Sequence, residues 1–356
     1  MKKSLILLAA FISASAIAQY QAVYLHAPRM NDQGYAWAAA DGQRVGSTSN
    51  SGPGQALLWV GTSPDYTILT PEGYTYSAAR GVSAGYQIGT GFVGERNKAL
   101  LWHGAANDFV DLDVPSYLGT FGNALWGQYQ VGAGTVPGPG GANYAHALLW
   151  TGASGTYVDL HPVGYFISEA VAVYGDTQAG YAFDGGYQAT IWHGTAASAE
   201  RLTPVGARQS RIRGVWHDDQ VGWMAPSTSG THAVVWHGSA TDYVDLNPAG
   251  YVSDAFASNS QFQVGEALVV GSSQARATRW SGSASSLFDL HQFLAPTFIN
   301  SWATGIDEDG TIVGYADSPT LGTVPVMWVA VPEPSSFAAM FLCFPLLAKR
   351  IWKSSK

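Results

Sequence analysis

Three histidines at matching places in the chain are the first residues that suggest chemistry. His103, His193 and His237 each directly follow a tryptophan, and imidazole is a common metal ligand. They occupy equivalent positions in separate repeats, so symmetry should distribute them around the molecule instead of bringing them to one ion. The sequence therefore predicts polar strand ends at these positions and no metal site.

Acidic residues give two further candidates. Asp307-Glu308-Asp309-Gly310 is similar to part of a calcium-binding loop, but the other oxygen ligands and the distal glutamate of such a loop are missing. An Asp-Gly pair is typical of a hairpin turn, where glycine supplies a positive φ. Asp218-Asp219 is also typical of a turn. We predict turns at both places, with weak calcium binding at the first as the alternative.

The sequence contains no motif for a known catalytic centre. Carboxylates that cleave glycosidic bonds must face each other about 5 to 9.5 Å apart, and no pair of acids is placed so by its spacing. A Gly-x-Ser-x-Gly elbow, a zinc-binding helix motif and a phosphate-binding loop are all missing. We therefore predict no catalytic residue, no cofactor and a protein that is not an enzyme.

A short sequence motif recurs along the chain, and the strands that contain it must position these residues. Its clearest copy is Ala233-Val234-Val235-Trp236-His237-Gly238, and copies follow one another at intervals of 42 to 48 residues. Such a period indicates a repeat architecture with one supersecondary unit in each copy. The tryptophans that end the copies are Trp59, Trp102, Trp150, Trp192, Trp236, Trp280 and Trp328.

Two other signals keep the same period. An apolar residue followed by glycine lies 12 to 18 residues before each tryptophan; the glycines are Gly46, Gly89, Gly132, Gly180, Gly222, Gly265 and Gly314. A leucine shortly before a proline lies about ten residues after it, as in Leu246 with Pro248. The last tryptophan lacks this leucine, but Leu25 with Pro28 supplies it at the other end of the chain. The N-terminal strand is therefore expected to complete the seventh unit.

The strand patterns predict an all-β fold. The tryptophan strand is apolar on both faces and must be covered on both, whereas Tyr243–Leu246 alternates and is half exposed. Each unit contains four short strands, which in the fourth unit are roughly 168–174, 178–183, 188–193 and 199–203. We predict a seven-bladed β-propeller of four-stranded repeats, closed by the N-terminal strand. The alternative is a linear β-solenoid, which needs no strand exchange between the ends.

The loops and the remaining tryptophans give weaker indications. The connections 47–55, 133–145 and 316–323 occupy the same slot in different units, so they should share one end of the propeller and form its recognition face. Variable loops without a ligand are the alternative. Trp37, Trp126, Trp216 and Trp302 lie near the first strand of their units, and we expect them to pack between blades instead of stacking on sugars.

Composition excludes some functions. Six of the seventeen basic residues lie near the two ends, and without their six charges the formal net charge of −8 becomes −14. A surface this acidic repels phosphate backbones, so we expect no nucleic-acid partner. The one cysteine, Cys343, lies in the C-terminal tail, so the body has no disulfide.

The first 18 residues are typical of a secretory signal peptide. Lys2 and Lys3 precede a mostly apolar run, 4–12, and Ala16 and Ala18 are small residues at the cleavage positions. An ordinary first helix is the alternative. We therefore assign 1–18 to the signal peptide and 19–330 to the propeller.

The C-terminal segment, 331–356, carries the most specific signal. Pro332-Glu333-Pro334 precedes an apolar run, 337–348, and then Lys349 and Arg350. The apolar run would rise only about 18 Å as a helix, less than a hydrocarbon core of roughly 30 Å, so we expect a short, transient inner-membrane anchor. The alternative is a tail anchor that is never cut.

This tail resembles the PEP-CTERM sorting signal of Gram-negative bacteria. The resemblance implies recognition near Pro332-Glu333-Pro334 by an exosortase, and association with exopolysaccharide or biofilm production. The repeats resemble extracellular HAF-type repeats, in which a His-Ala-apolar-apolar-Trp strand such as His146–Trp150 accompanies a turn such as Ile306–Gly314. Repetition defines that family, which implies no reaction.

Together these observations favour an exported protein of the cell surface or biofilm matrix. We expect a non-enzymatic propeller that binds extracellular polysaccharide or a surface protein. The alternative is a secreted glycan-active hydrolase or lyase whose acidic residues gather at the propeller axis.

Overall fold

The computed structural model describes residues 19–28, 33–49, 54–226 and 230–331. The predicted signal peptide with Ala16 and Ala18, the Pro332-Glu333-Pro334 motif and the predicted C-terminal hydrophobic helix lie outside the described residues. Residues 22–329 form one compact unit. Of the second unit, 1–21 with 330–356, only the ends of two strands are described.

The described strands form seven four-stranded sheets, which are the blades of a propeller. Blade 1 contains β2 (Gln33–Ala40), β3 (Gln43–Ser49), β4 (Ala56–Val60) and β5 (Tyr66–Ile68). Blade 2 contains β6 (Tyr76–Ser83), β7 (Tyr86–Val93), β8 (Arg96–Ala105) and β9 (Asp108–Asp111). Blade 3 contains β10 (Gly119–Trp126), β11 (Tyr129–Pro137), β12 (Asn143–Thr151) and β13 (Thr156–Asp159). Blade 4 contains β14 (Ile167–Tyr174), β15 (Thr177–Phe183), β16 (Tyr187–Trp192) and β17 (Glu200–Arg201).

The other three blades repeat this plan. Blade 5 contains β18 (Ala207–Trp216), β19 (Asp219–Pro226), β20 (His232–His237) and β21 (Tyr243–Asp245). Blade 6 contains β22 (Tyr251–Ser258), β23 (Gln263–Val269), β24 (Arg276–Trp280) and β25 (Phe288–Asp289). Blade 7 contains β26 (Asn300–Ile306), β27 (Ile312–Ser318), β28 (Gly322–Val331) and β1 (Gln19–Tyr24). The helices in the described ranges are short 3-10 turns: Pro139–Gly141, Ala196–Ser198, Ala284–Ser286 and His291–Phe293.

This architecture confirms the prediction of seven four-stranded blades and rejects the linear solenoid. Strand β1 lies beside β28, so the first described strand is the outer strand of the last blade. The amide of Leu25 donates to the carbonyl of Pro325, as Leu69 donates to Ala56 in blade 1. In both blades the leucine amide therefore bonds to the carbonyl three residues before the repeated tryptophan.

The repeated tryptophans lie in the interfaces between blades. All seven have 0% exposed surface. Trp102 of blade 2 packs against Val45, Leu58 and Leu69 of blade 1, and Trp236 of blade 5 makes the corresponding contacts with blade 4. Truncation of one such buried tryptophan to alanine lowers the free energy of unfolding by about 3 to 5 kcal/mol. The period of the tryptophans is thus the period of the blade-to-blade packing.

A hydroxyl group also joins each of six blade pairs. The backbone N–H three residues before the tryptophan belongs to an alanine, and it donates to a serine or threonine on the inner strand of the next blade at 2.9 to 3.1 Å. The pairs are Ala56–Ser77, Ala99–Thr120, Ala147–Ser168, Ala189–Ser210, Ala233–Ser253 and Ala277–Ser301.

The seventh interface departs from this rule at both positions. Pro325 replaces the alanine and has no N–H to donate, and Gly34 replaces the hydroxyl residue. A Cβ on Gly34 would lie 2.7 Å from Cδ of Pro325. The blade that contains the exchanged strand is therefore joined to blade 1 by close packing, without the hydroxyl bridge.

Every inner strand carries a β-bulge at the same level. The antiparallel pairing of the first two strands shifts by one residue in all seven blades, as at Ala36/Ala38 and Ala79/Gly81. The residue opposite the shift is the repeated glycine. A Cβ there would lie only 1.8 to 2.0 Å from a carbonyl oxygen of the inner strand. The apolar-glycine signal thus records the close approach that each bulge requires.

Candidate functional site at the propeller axis

The seven bulged residues form a ring around the axis. A β-bulge redirects the extra side chain, and these side chains are partly exposed between neighbours that are largely buried. One residue comes from each blade: Trp37, Arg80, Asn123, Val171, Arg213, Phe256 and Thr304.

The ring separates two cavities along the axis. The larger cavity has a volume of about 660 Å³, the smaller one about 310 Å³, and all seven ring residues line both of them. Asn97 and the facing pair Thr135 and Ala145, which lie toward the connections between second and third strands, also line the larger cavity. The larger cavity is therefore at the end where we predicted the recognition face.

One side of the ring is aromatic. The Arg80 guanidinium lies over the Trp37 ring, 4.3 Å from its centroid, and Tyr35 stacks on Trp37 at 5.2 Å. Tyr315 meets both rings edge to face and stacks on Trp302 at 4.8 Å. The Arg80 side chain faces water in the channel but is walled by protein, and this burial lowers its pKa.

A buried pair of carboxyl groups lies beside this aromatic side, in blade 6 next to Trp302 and Tyr315 of blade 7. Asp254 and Glu266 face each other across strands β22 and β23. Burial raises the pKa of Asp254 to about 6, although Arg213 donates two hydrogen bonds to its Oδ2 at 3.1 and 3.2 Å. Burial and the neighbouring Asp254 raise the pKa of Glu266 to about 7. These two acids therefore change charge close to neutral pH.

Glu169 is the carboxylate that lines the larger cavity. It lies on inner strand β14, two residues before the bulge, and accepts hydrogen bonds from Asn123 Nδ2 at 2.9 Å and from the Tyr181 hydroxyl. Burial, the negative charge of Glu169 and the hydrogen bond raise the pKa of Tyr181. Two donors from different blades and strands therefore hold this carboxylate in a fixed position at the cavity wall.

The repeated histidines lie at exposed strand ends in different blades. His103 Nδ1 lies 3.3 Å from Asp108 Oδ2 in blade 2, and His237 Nδ1 lies 2.6 Å from Asp219 Oδ1 in blade 5. His193, in blade 4, is exposed. In the described ranges, no group of three or more histidine, cysteine, aspartate or glutamate side chains is arranged to hold a metal ion.

Asp307-Glu308-Asp309-Gly310 forms a turn whose first carboxylate joins two blades. The Asp307 carboxylate accepts backbone N–H groups of Asp41 and Gly42 in blade 1, and of Glu308. Gly310 has a φ of +82° and donates its N–H to the Asp307 carbonyl. Asp218 lies in the turn before β19 and Asp219 is the first residue of that strand, and neither segment lines the larger cavity.

The four tryptophans that we expected to pack between blades contact neighbouring blades near the propeller axis. Trp37 lines both cavities and Trp302 stacks on Tyr315 beside them. At the smaller cavity, Tyr174 lies 4.8 Å from Trp126 and 4.9 Å from Trp216 between ring centroids. These contacts cross from blade to blade as expected, and the bulge and the end of the inner strand also turn Trp37, Trp126 and Trp216 toward the axial cavities.

Sequence reasoning missed the ring itself, although its spacing is regular. In six units the ring residue lies nine residues before the repeated glycine, and in the last unit, whose turn is longer, it lies ten residues before. The side chains at this position share no chemical type, so a search for a recurring residue passes over them. The strict glycine, interpreted as the partner of a bulge, is the signal that locates them.

Comparison with known proteins supports the fold. No family model matches the chain. No curated protein sequence matches it either. The chain is similar in structure to a puromycin hydrolase (TM-score 0.62, 11% identity, 85% of this chain and 54% of that one). It is also similar to a puromycin-hydrolysing peptidase from Mycobacterium tuberculosis (0.56, 13%, 89% and 56%) and to TolB from Acinetobacter baumannii (0.50, 11%, 70% and 63%).

These similarities correct one prediction. We expected a protein that is not an enzyme, but the solved structures that share its fold include a hydrolase and a peptidase. The fold is therefore no argument against an enzyme. The chain spans about half the length of these two proteins, and the low identity shows the fold alone.

Proposed function

We propose that this chain is an exported propeller that binds an extracellular glycan in the larger axial cavity. The observation that supports the proposal is the lining of that cavity. Aromatic rings from five blades lie around a few fixed polar groups; they are Trp37, Tyr76, Phe121, Phe256 and Tyr315. Small-molecule sites generally combine such apolar walls with a small number of oriented donors and acceptors. Sugar rings offer matching C–H faces and hydroxyl groups.

A titration of the purified propeller with oligosaccharides tests the proposal. Trp37→Ala removes a ring shared by both cavities, whereas Trp126→Ala removes an aromatic side chain that lines the smaller cavity only. We expect Trp37→Ala to weaken binding about tenfold or more and Trp126→Ala to leave it unchanged. Equal affinities for wild type and Trp37→Ala would place the sugar outside the larger cavity.

The second part of the proposal concerns export. We propose that 1–18 direct secretion and that an exosortase processes the tail at Pro332-Glu333-Pro334, which releases the propeller to the cell surface or matrix. The support is the order of the two terminal signals in the sequence. None of the helices in the described ranges has the length and apolar character needed to cross a membrane. Fractionation of wild type and P332A/E333A/P334A tests the tail: identical membrane retention of both would defeat the sorting proposal.

Glu169 favours a second candidate function, a glycan-active hydrolase or lyase. Glu169 is a carboxylate at the wall of a sugar-sized cavity, and two hydrogen-bond donors fix its position. A general acid or base needs such a fixed position within hydrogen-bond reach of its substrate. The test incubates bound polysaccharides and measures new reducing ends for hydrolysis and ultraviolet absorbance of unsaturated sugars for elimination. Glu169→Gln should then abolish turnover and retain binding. Bound sugars that are never cleaved by the wild type would reject this candidate.

A further inference from the structure

Arg80 differs from the other polar members of the ring. The side chains of Asn123, Arg213 and Thr304 each donate a hydrogen bond to the following blade. Among the described residues, no oxygen accepts a hydrogen bond from Arg80, and no carboxylate oxygen lies within salt-bridge distance of it. A guanidinium group carries five N–H donors. The cavity therefore contains a fixed cation whose hydrogen-bonding capacity the described part of the chain leaves unused.

Stacking orients this guanidinium. Arg80 lies 4.3 Å over Trp37, and Tyr35 and Tyr315 hold the Trp37 ring in place. The contact with an aromatic ring uses the flat face of the guanidinium, while its N–H groups point outward in the plane. The arginine is thus oriented before any ligand arrives, and its donating edge is available.

The charges around the ring identify the ligand group that fits. Both charged ring members are arginines, although the protein as a whole is acidic. Asp254 accepts the hydrogen bonds of Arg213, so that charge is largely balanced. Glu169 is engaged by Asn123 and Tyr181 and acts on Arg80 through space, without a direct ion pair. Arg80 remains as the cation without a hydrogen-bonded counter-ion within the described residues.

We propose that Arg80 binds the carboxylate of a uronic acid residue, so that the ligand is an acidic glycan. A carboxylate is planar and presents two oxygens that match the edge of a guanidinium group. This inference rests on the proposed function, because it assigns the substrate class of the same cavity.

Methyl esterification provides a matched test of the ligand. Uronic acid tetrasaccharides and their methyl esters have the same length and stereochemistry but differ in charge. We expect the wild-type propeller to bind at least one free acid about 10- to 100-fold more tightly than its ester, the ratio typical of a charge-assisted pair. A sulfated tetrasaccharide forms the third arm, and tighter Arg80-dependent binding of the sulfate would overturn the assignment to a carboxylate.

Variants test the residue. In Arg80→Gln the acid and the ester should bind with equal affinity. Arg80→Lys keeps the charge but loses the planar edge, so its ratio of acid to ester affinity should lie between those of the wild type and Arg80→Gln. Arg201→Gln removes an exposed arginine of outer strand β17 and should behave as the wild type, and melting temperatures show that each variant is folded. Equal binding of acid and ester to the wild type would overturn this inference and leave the glycan proposal standing. Failure of every tetrasaccharide to bind would overturn both.

Discussion

At the residue scale, the two facing carboxyl groups of blade 6 link stability to pH. Glu266 has a pKa of about 7 because it is largely buried and because Asp254 lies opposite it on the neighbouring strand. The pKa in the folded protein is higher than in the unfolded chain, so the folded state binds the proton more tightly. The stabilisation is therefore complete below the ordinary pKa of a glutamate and is lost as the pH rises through about 7.

Glu266→Gln should remove the part of this dependence that Glu266 contributes. The amide cannot ionise and can still accept the hydrogen bond that Trp302 gives to the carboxylate. We expect the variant to be more stable than the wild type at pH 8, by about 2 kcal/mol, because each unit of pKa shift is worth about 1.4 kcal/mol and partial exposure reduces the effect. At pH 5 the two should unfold at similar temperatures.

Thermal unfolding at both pH values provides the measurement. Glu200→Gln, on exposed strand β17, is the matched control and should not change the difference between the two pH values. A difference between wild type and Glu266→Gln that is the same at pH 5 and pH 8 would contradict the assignment.

At the element scale, the seven interfaces between blades follow one rule with one exception. Six of them place a hydroxyl group against the backbone N–H of an alanine, and the seventh places Gly34 against Pro325. The two exceptional residues compensate each other, since the proline has no N–H and the glycine makes room for the proline ring. Such a compensation predicts a measurable coupling between the two positions.

A double-mutant cycle on this interface should be non-additive. Gly34→Ser alone forces the serine Cβ against Pro325, and Pro325→Ala alone creates a buried N–H without an acceptor, which costs about 1 to 3 kcal/mol. The double variant G34S/P325A recreates the arrangement of the other six interfaces. We expect it to be more stable than the sum of the single effects by at least about 1 kcal/mol.

Chemical denaturation of the four proteins measures the coupling. Gly42→Ser with Pro325→Ala is a control pair, because nothing lies within 4 Å of a Cβ on Gly42. Strictly additive losses in the G34S/P325A cycle would show that the two exceptions arose independently of each other.

At the scale of the whole molecule, the ring is closed by one exchanged strand. Strand β1 is the outer strand of blade 7, whose other strands come from the opposite end of the described chain. Leu25, which follows β1, is buried in the cluster that also contains Trp59 and Met327. Without this segment, β28 would become an unpaired edge, and exposed edges favour aggregation.

A chain that begins at residue 33 should therefore unfold at a lower temperature and associate in solution. Addition of a peptide that spans 19–28 should restore the melting temperature in a concentration-dependent manner, since a partner that binds only the folded state stabilises it. The melting temperature and the light scattering of the solution report the two effects, and a scrambled peptide is the control. Unchanged stability of the shortened chain would show that closure contributes nothing.

The scale of a feature also decides how much of it the sequence predicts. A tryptophan equivalent to Trp236 and a glycine equivalent to Gly222 recur once in every blade because packing and bulge geometry impose the same demand there, so the number of blades follows from their count. Arginine occupies the ring position in blades 2 and 5 alone, and a carboxylate lies two residues before it in blades 4 and 6 alone, because the chemistry of a site needs different groups side by side. Their convergence at the axis depends on the closure of the ring, which spacing along the chain does not express.

The bulged position of each blade can change its side chain, and with it the ligand that the cavity binds. The backbone of each bulge is set by the facing glycine, so the side chain that it presents is free to vary without altering any strand pairing. The present occupants range from Trp37 to Val171, which shows how wide that freedom is. Seven such positions around one axis allow point substitutions, alone or in neighbouring pairs such as Trp37 and Arg80, to change the ligand selectivity while the strand architecture stays the same.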